Sequence, residues 1–341
     1  MTHPFTIIIP HFRNGKITAF TINQILKHSQ GREVEIVVVD NSQGAGTEYL
    51  QPFMDKIKLV AYPAGKVQSH GVAYDFALEN GYVNTDYFIT TESDAYPTKD
   101  GWLDYYDELI DAGWHACGSM LHQSGGQMLH PAGAYYKTSD WKEAMEYWRN
   151  VPYSYFPNAA MKEGFPCHLM VHNDILFDFM LKPKEFVELH ESYGAGDMDA
   201  LADKKEWYEP VTKVFHNGMG CLQESIKTFM HRDVHIGAKD AIINGHCDKL
   251  IYRIGMEPGQ SFGYWLLAMG KPVGAIPTEV VWMGNRVGQQ QAYTLMENGL
   301  RHEWGMSAYY KCEAADLQDV IKAKEDRIEE LYLSLPEELK I

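Results

Sequence analysis

"DYFITTESDAYP", residues 86–97, runs from an apolar, β-branched segment straight into two carboxylates. Tyr87, Phe88, Ile89, Thr90 and Thr91 read as a buried strand, and Glu92, Ser93 and Asp94 follow with no turn residue between. Desolvating carboxylates at the tip of a core strand is costly unless something compensates their charge. Two readings meet that condition. Either a surface turn keeps both acids in water, or the strand end holds a divalent cation.

The residues before this stretch decide what sheet the strand joins. Phe5-Thr6-Ile7-Ile8-Ile9 is a short β-branched run that Pro10 should stop. Residues 16–29 place Ile17, Phe20, Ile25 and Leu26 at helical spacing. Glu35-Ile36-Val37-Val38-Val39 is a second buried strand that ends at Asp40-Asn41-Ser42. Residues 46–55 look helical, Ile57 to Tyr62 is a third strand, and Ser69 to Gly81 is a helix with Val72, Phe76 and Ala77 for its inner face. Runs that are apolar on every side and alternate with helices predict an α/β fold, a mostly parallel sheet with helices on both faces. Ligands of such sheets lie beyond the carboxyl ends of the strands. The residues at those ends are Pro10-His11-Phe12, Asp40-Asn41, Gly65-Lys66 and Glu92-Ser93-Asp94.

Composition narrows the function classes. The 341 residues are 45% hydrophobic and 22% charged, which is globular composition. No apolar run approaches the roughly 18 residues of a membrane span, and Met1-Thr2-His3-Pro4 lacks the basic start and apolar core of a signal peptide. The five cysteines (Cys117, Cys167, Cys221, Cys247, Cys312) are scattered and form no CxxC pair, so neither a disulfide framework nor a zinc knuckle is expected. A reducing cytoplasm is the expected location. A formal net charge of −16 with no basic cluster disfavours nucleic acid as a partner, whereas a small anion carried with its own metal is compatible with it.

From about residue 116 to 250 the pattern loosens and strands are hard to place. Order returns with the apolar helix Phe262–Met269, followed by edge-type strands in Pro272–Pro277 and Val280–Trp282. From Glu313 the chain is highly charged, with Leu317, Lys324 and Leu331 seven apart, as are Ile321, Ile328 and Leu335. That spacing predicts an amphipathic helix that packs on its own domain or forms a coiled coil between subunits, a homo-oligomer.

At this point the chain resembles the family-2 glycosyltransferases. Phe5 to Asn14 is similar to their "SIIIPTYN" opening, and Glu35 to Ser42 to their "EIIVVDNGS". Ser69-His70-Gly71 with its helix, then Tyr87 to Asp94, resembles their "G-x-x-x-A-x-N" helix and the strand ending in D-x-D. Met256-Glu257-Pro258-Gly259-Gln260-Ser261, the next helix and Lys271 to Pro277 are a weaker echo of the acidic motif and final strand of that catalytic fold. This chain departs from the pattern in three places: D-x-D is Glu92-Ser93-Asp94, Asp75 stands where Asn is common, and Pro258 follows Glu257.

The resemblance implies a GT-A-like fold, a nucleotide-sugar donor (UDP-linked), Mn²⁺ or Mg²⁺, and transfer with inversion to an acceptor hydroxyl, a saccharide being the first expectation. Asp94 would ligate the ion, and Glu92 either the ion or the donor ribose; hard cations take such carboxylates together with substrate phosphates. A late histidine, His302 or His216, would be a further ligand. Asp40 would read the base, with Asn41, Ser93, Gly71 and the Pro10-His11-Phe12 strand end around the donor and Lys66 near phosphate. Asp-Asn-Ser serves equally as a turn or helix cap. The base that takes the acceptor proton would be Glu257, with Asp197 and Asp199 as rivals. The His231/His235 and His168/His172 pairs lack a third ligand. Residues 1–115 would form the donor half, 116–312 the acceptor and catalytic half, and 313–341 a helical tail. A non-catalytic nucleotide- or saccharide-binding scaffold is the alternative, and a nucleotidyltransferase ranks below both.

Overall fold

A computed structural model of the chain describes residues 1–63, 70–119, 129–150, 177–181, 250–254, 262, 266, 269–283, 290–303, 306 and 318–341. The chain forms two compact units: Met1–Met120 with Leu129–Asp140 and Pro272–Ile341, and Leu121–Met128 with Trp141–Lys271.

The first unit begins with β1 (Phe5–His11), α1 (Gly15–His28), β2 (Val34–Asp40), a 3-10 turn (Thr47–Phe53), β3 (Ile57–Ala61), α2 (His70–Glu79), β4 (Tyr87–Thr90) and β5 (Ala95–Pro97). It continues with α3 (Trp102–Asp111), β6 (Ala116–Ser119), β7 (Ala134–Lys137) and the start of α4 (Thr138–Asn150). In the second unit β8 (Phe177–Leu181) pairs antiparallel with β9 (Leu250–Ile254). The chain then returns to the first unit with β10 (Val273–Ile276), β11 (Thr278–Met283), β12 (Gln290–Met296), β13 (Leu300–Glu303) and α5 (Gln318–Leu333).

Seven strands form one sheet in the order β10-β6-β7-β4-β1-β2-β3. The β4-β1-β2-β3 block is parallel, β10 is parallel to β6, and only β7 runs against its neighbours β4 and β6. This is the mostly parallel α/β sheet that the GT-A-like reading of the sequence expects. Phe5, Ile7 and Ile9 of β1 join Ile36 and Val38 of β2 and Ile17, Phe20 and Ile25 of α1 in one buried cluster. The alternate residues of β1 face the other side of the sheet, since side chains switch faces at every residue. There α2, with Val72, Ala73, Tyr74 and Ala77 buried, packs against β1 and β2.

Pro10 does not stop β1, which continues to His11. The carbonyl of Ile8 accepts from Thr91 N–H and that of His11 from Asn41 N–H, so by alternation Pro10 faces the β4 side. Pairing with β4 has ended at Ile8, so the missing N–H of Pro10 costs no ladder bond. The predicted helix over 46–55 is instead the short 3-10 turn, with Pro52 inside it. A proline lacks the N–H that an α-helix interior would require.

A second sheet, β11-β12-β13-β5, is antiparallel throughout. Its β5 strand lies within the quoted stretch, so the residues directly after Asp94 pair with β13 rather than forming a loop. Ile328, Leu331 and Tyr332 of α5, and Leu335 just beyond it, are buried in the same cluster as β1 and α1. No helix among the described residues is long and apolar enough to cross a membrane.

Candidate metal centre

Glu92 and Asp94 sit in the turn between β4 and β5, and their backbone is pinned from several sides. Thr91 N–H donates to the Ile8 carbonyl at 3.1 Å, and Ala95 N–H closes the turn on the Glu92 carbonyl at 3.1 Å. The Tyr74 hydroxyl on α2 donates to the Thr91 carbonyl at 2.6 Å, and the Thr21 hydroxyl on α1 donates to the Ser93 carbonyl at 2.7 Å. Helices from both faces of the sheet therefore hold the acidic turn in place.

The β5–β13 pairing then delivers the histidine. The register sets His302 opposite Ala95, and Glu303 N–H donates to the Asp94 carbonyl at 2.9 Å. His302 Nε2 lies 3.3 Å from Glu92 Oε2 and 3.4 Å from Asp94 Oδ1. One ligand atom from each of the three residues falls within 4.8 Å of the others. Met306 N–H donates to the second Asp94 oxygen at 3.1 Å, which fixes the rotamer. Asp94 and His302 are buried, and Glu92 is half-buried.

These side chains suit a hard divalent cation. Ligand bonds of about 2.1 Å in octahedral geometry put neighbouring donor atoms about 3 Å apart, close to the two spacings here. Two carboxylates favour Mg²⁺ or Mn²⁺, and the imidazole shifts the preference toward a transition ion such as Mn²⁺. Electrostatics point the same way. Burial alone would lower the pKa of His302, but Glu92 and Asp94 outweigh it and raise the pKa to about 10. The two acids thus hold an imidazolium between them, and a divalent cation can supply the same compensation with the imidazole neutral.

The C-terminal helix contributes further positive charge behind the acids. Glu303 is buried and its Oε1 accepts from the Tyr96 hydroxyl (2.8 Å), Arg301 Nε (2.7 Å) and Arg327 Nη2 (3.2 Å). Lys324 is buried as well; burial lowers its pKa while Asp94 and Glu303 pull it back up. Lys324→Met removes a buried cation from beside these acids. It is expected to lower stability in chelator, by less than the roughly 3–5 kcal/mol of a broken buried ion pair, because Arg301, Arg327 and His302 still face these acids. Saturating Mn²⁺ should recover part of the loss, and urea unfolding in EDTA and in Mn²⁺ measures both.

Of the other sequence-predicted donor residues, Asp40 and Asn41 lie at the end of β2 on the same edge of the sheet, two strand spacings or about 10 Å away across β1, and Pro10 and His11 end the β1 strand between them. Asp40 Oδ1 accepts from Ser42 N–H (2.8 Å) and the Ser42 hydroxyl (2.7 Å), and Oδ2 from Gly44 N–H (2.6 Å). The carboxylate therefore organises its own loop and keeps one of its roughly four acceptor positions, on Oδ2. Pro10 and His11 are buried; His11 Nε2–H donates to the Ala45 carbonyl at 3.0 Å while Nδ1 faces the Thr18 hydroxyl at 3.0 Å. Burial lowers the His11 pKa, so its ring is neutral. Asn41 and Ser93 are buried, and Gly71 is buried in the first turn of α2. Phe12 is half-buried, with the Arg13 guanidinium 5.1 Å above its ring. Lys66, Glu257, Asp197, Asp199 and His216, and the paired histidines at 168, 172, 231 and 235, lie outside the described residues.

Sequence reasoning missed Glu303, Lys324, Arg327 and His130. One signal was available for Lys324: a lysine in the Leu317–Lys324–Leu331 column of an otherwise apolar helix face implies a buried acid partner.

No protein-family profile matches the chain, and no curated protein sequence does. Among solved structures, residues 1–349 of TarS from S. aureus match with a TM-score of 0.35 and 18% identity over 41% of this chain and 48% of that one. The same TarS fragment in complex with UDP-GlcNAc matches with a TM-score of 0.34 and 18% identity over 41% and 47%. The mannosyltransferase PcManGT from Pyrobaculum calidifontis, in complex with GDP-Man and Mn²⁺, matches with a TM-score of 0.35 and 16% identity over 48% and 54%. Each match spans less than two thirds of the solved chain.

Proposed function

We propose that this protein is an inverting glycosyltransferase. It moves a sugar from a nucleotide-sugar donor, UDP-linked, to an acceptor hydroxyl, with Mn²⁺ or Mg²⁺ held by Glu92, Asp94 and His302. The observation that carries this reading is the meeting of those three side chains at the carboxyl edge of a mostly parallel sheet, where such folds bind ligands. The motif resemblance over residues 3–102 supplies the donor class.

In this reading Glu92, Asp94 and His302 would hold the cation, which when bound would supply positive charge to a diphosphate leaving group. The chain does the rest. The pinned β4–β5 turn orients both carboxylates, and burial of Asp94 and His302 keeps water from competing for their donor atoms. Asp40 offers its remaining Oδ2 position to a single imide N–H, which suits uracil, with Asn41 and Phe12 flanking the base. Glu257, Asp197 or Asp199 takes the acceptor proton. The acceptor is a saccharide, in keeping with the 8 Trp and 21 Tyr whose faces can stack on sugar C–H surfaces.

Purified protein incubated with Mn²⁺ and a panel of UDP- and GDP-sugars should show a raised melting temperature and release of free nucleotide with a UDP-sugar. Stabilisation without release would favour the scaffold reading. Neither effect with any nucleotide-sugar would refute the proposal.

A further inference from the structure

His130 stands beside the three candidate ligands and belongs to none of the motifs. Its backbone is fixed between strands: His130 N–H donates to the Ser119 carbonyl at 2.8 Å, and Gly133 N–H, three residues on, donates to the Thr90 carbonyl at 2.8 Å. Its ring lies 5.2 Å from that of His302, the two planes inclined at 31°. Its Nε2 is 3.9 Å from Glu92 Oε1, while Glu92 Oε2 is the oxygen that faces His302. Glu92 therefore sits between two imidazoles, one facing each carboxylate oxygen.

A fourth metal ligand is the obvious role for such a histidine, but its other nitrogen argues against it. Ala132 N–H donates to His130 Nδ1 at 3.2 Å, so Nδ1 carries a lone pair and the ring proton of the neutral imidazole sits on Nε2. A protonated Nε2 cannot ligate a cation, yet it can donate to a carboxylate. Histidines that bind metal show the opposite arrangement, with the second nitrogen donating outward. The separation of 3.9 Å is too short for a bridging water of ordinary geometry and outside hydrogen-bond range, so the bond forms only once Glu92 turns toward the ring. Glu92 is the least buried of the three candidate ligands and can close that gap by a small side-chain rotation.

We propose that His130 is a positioning residue: its Nε2–H holds Glu92 Oε1, so that Glu92 presents Oε2 alone to the cation beside Asp94 and His302. The proposal rests on the metal reading above. Glu92 is thereby kept monodentate, which leaves a coordination position that substrate phosphate oxygens can take.

The test compares full-length wild type, His130→Ala and His130→Gln, the last retaining an N–H donor near the Nε2 position. Mn²⁺ affinity is read by the free-ion electron paramagnetic resonance signal, and coordinated imidazole nitrogens are counted by electron spin-echo modulation. The expected result is one coupled imidazole nitrogen in all three proteins. His130→Ala should lose affinity by about 10–100-fold, the usual cost of removing an outer partner, and His130→Gln should recover most of it. Two coupled nitrogens in wild type, falling to one in the variants, would make His130 a ligand and overturn the proposal. An unchanged affinity in His130→Ala would also overturn it. Should His130→Ala not fold, the wild-type nitrogen count and the His130→Gln affinity still decide. A wild type that binds no Mn²⁺ would defeat the metal reading itself, an outcome distinct from a wild type that binds Mn²⁺ indifferently to residue 130.

Discussion

Replacing Asp94 by asparagine is expected to lower Mn²⁺ affinity by more than the about 10–100-fold that loss of an outer partner causes, while the protein stays folded. The two consequences separate because Asp94 does two jobs with different atoms. Its Oδ2 accepts Met306 N–H and its backbone carbonyl accepts Glu303 N–H, and an asparagine can keep both contacts. The charge on Oδ1, 3.4 Å from His302 Nε2, is what asparagine lacks. Glu92 alone would then face the imidazole, and the cation would lose one of two anionic ligands. Calorimetric or paramagnetic titration with Mn²⁺ measures the affinity, and unfolding in chelator checks the fold. UDP release should fall at least in proportion to metal occupancy. An Asp94→Asn protein that binds Mn²⁺ like wild type would place the metal elsewhere.

The largest effect on stability is expected at a site with no chemistry, Gly46. The loop after β1 and the loop after β2 pass each other backbone to backbone at Gly15 and Gly46. A Cβ on Gly15 would run into the Gly46 carbonyl oxygen, and a Cβ on Gly46 into the carbonyl oxygen of Arg13. Gly46 also has φ +83°, a left-handed conformation that side chains resist. Conformational strain and overlap with rigid backbone together put Gly46→Ala at about 2–5 kcal/mol. Gly31→Ala is the matched control: Gly31 has φ +78° but nothing within 4 Å of its Cβ position, so only the conformational cost of about 1 kcal/mol or more applies. Urea unfolding of both variants measures the difference. Equal stabilities would mean that the loops do not interlock. Because the Gly46 loop also carries the Asp40 contacts to Ser42 and Gly44, nucleotide affinity should fall together with stability.

The strands and the acidic turn were legible because their signals are local. A short β-branched apolar run such as Ile36–Val39 reads as a strand buried on both faces, and helices then cover each face. The order of β1, β2, β3 and β4 along the chain then fixes which strand ends share an edge. Pro10 and Pro52 misled in opposite directions. Pro10 does not end its strand, because its missing N–H faces a vacated ladder position, whereas Pro52 limits its segment to a 3-10 turn.

Long-range pairing was not legible. That β5 exists at all depends on β13, about two hundred residues away, offering an antiparallel partner for Ala95–Pro97. Three residues have no hydrophobic period of their own, so no window of sequence could display that strand. The same pairing puts Glu303 beside Asp94 and leaves Arg327 and Lys324 of α5 to balance its charge.

By itself, then, the sequence determined the α/β class and the acidic turn at the end of β4, since the first follows from side-chain periodicity within a few residues and the second from the residues that directly succeed the strand. Only the tertiary structure decided that His302 meets Glu92 and Asp94, that His130 turns its Nε2 toward Glu92, and that residues 272–341 return to complete the first unit. Such contacts depend on strand register between segments far apart in the chain, and register is set by which buried faces fit together rather than by any one segment's composition.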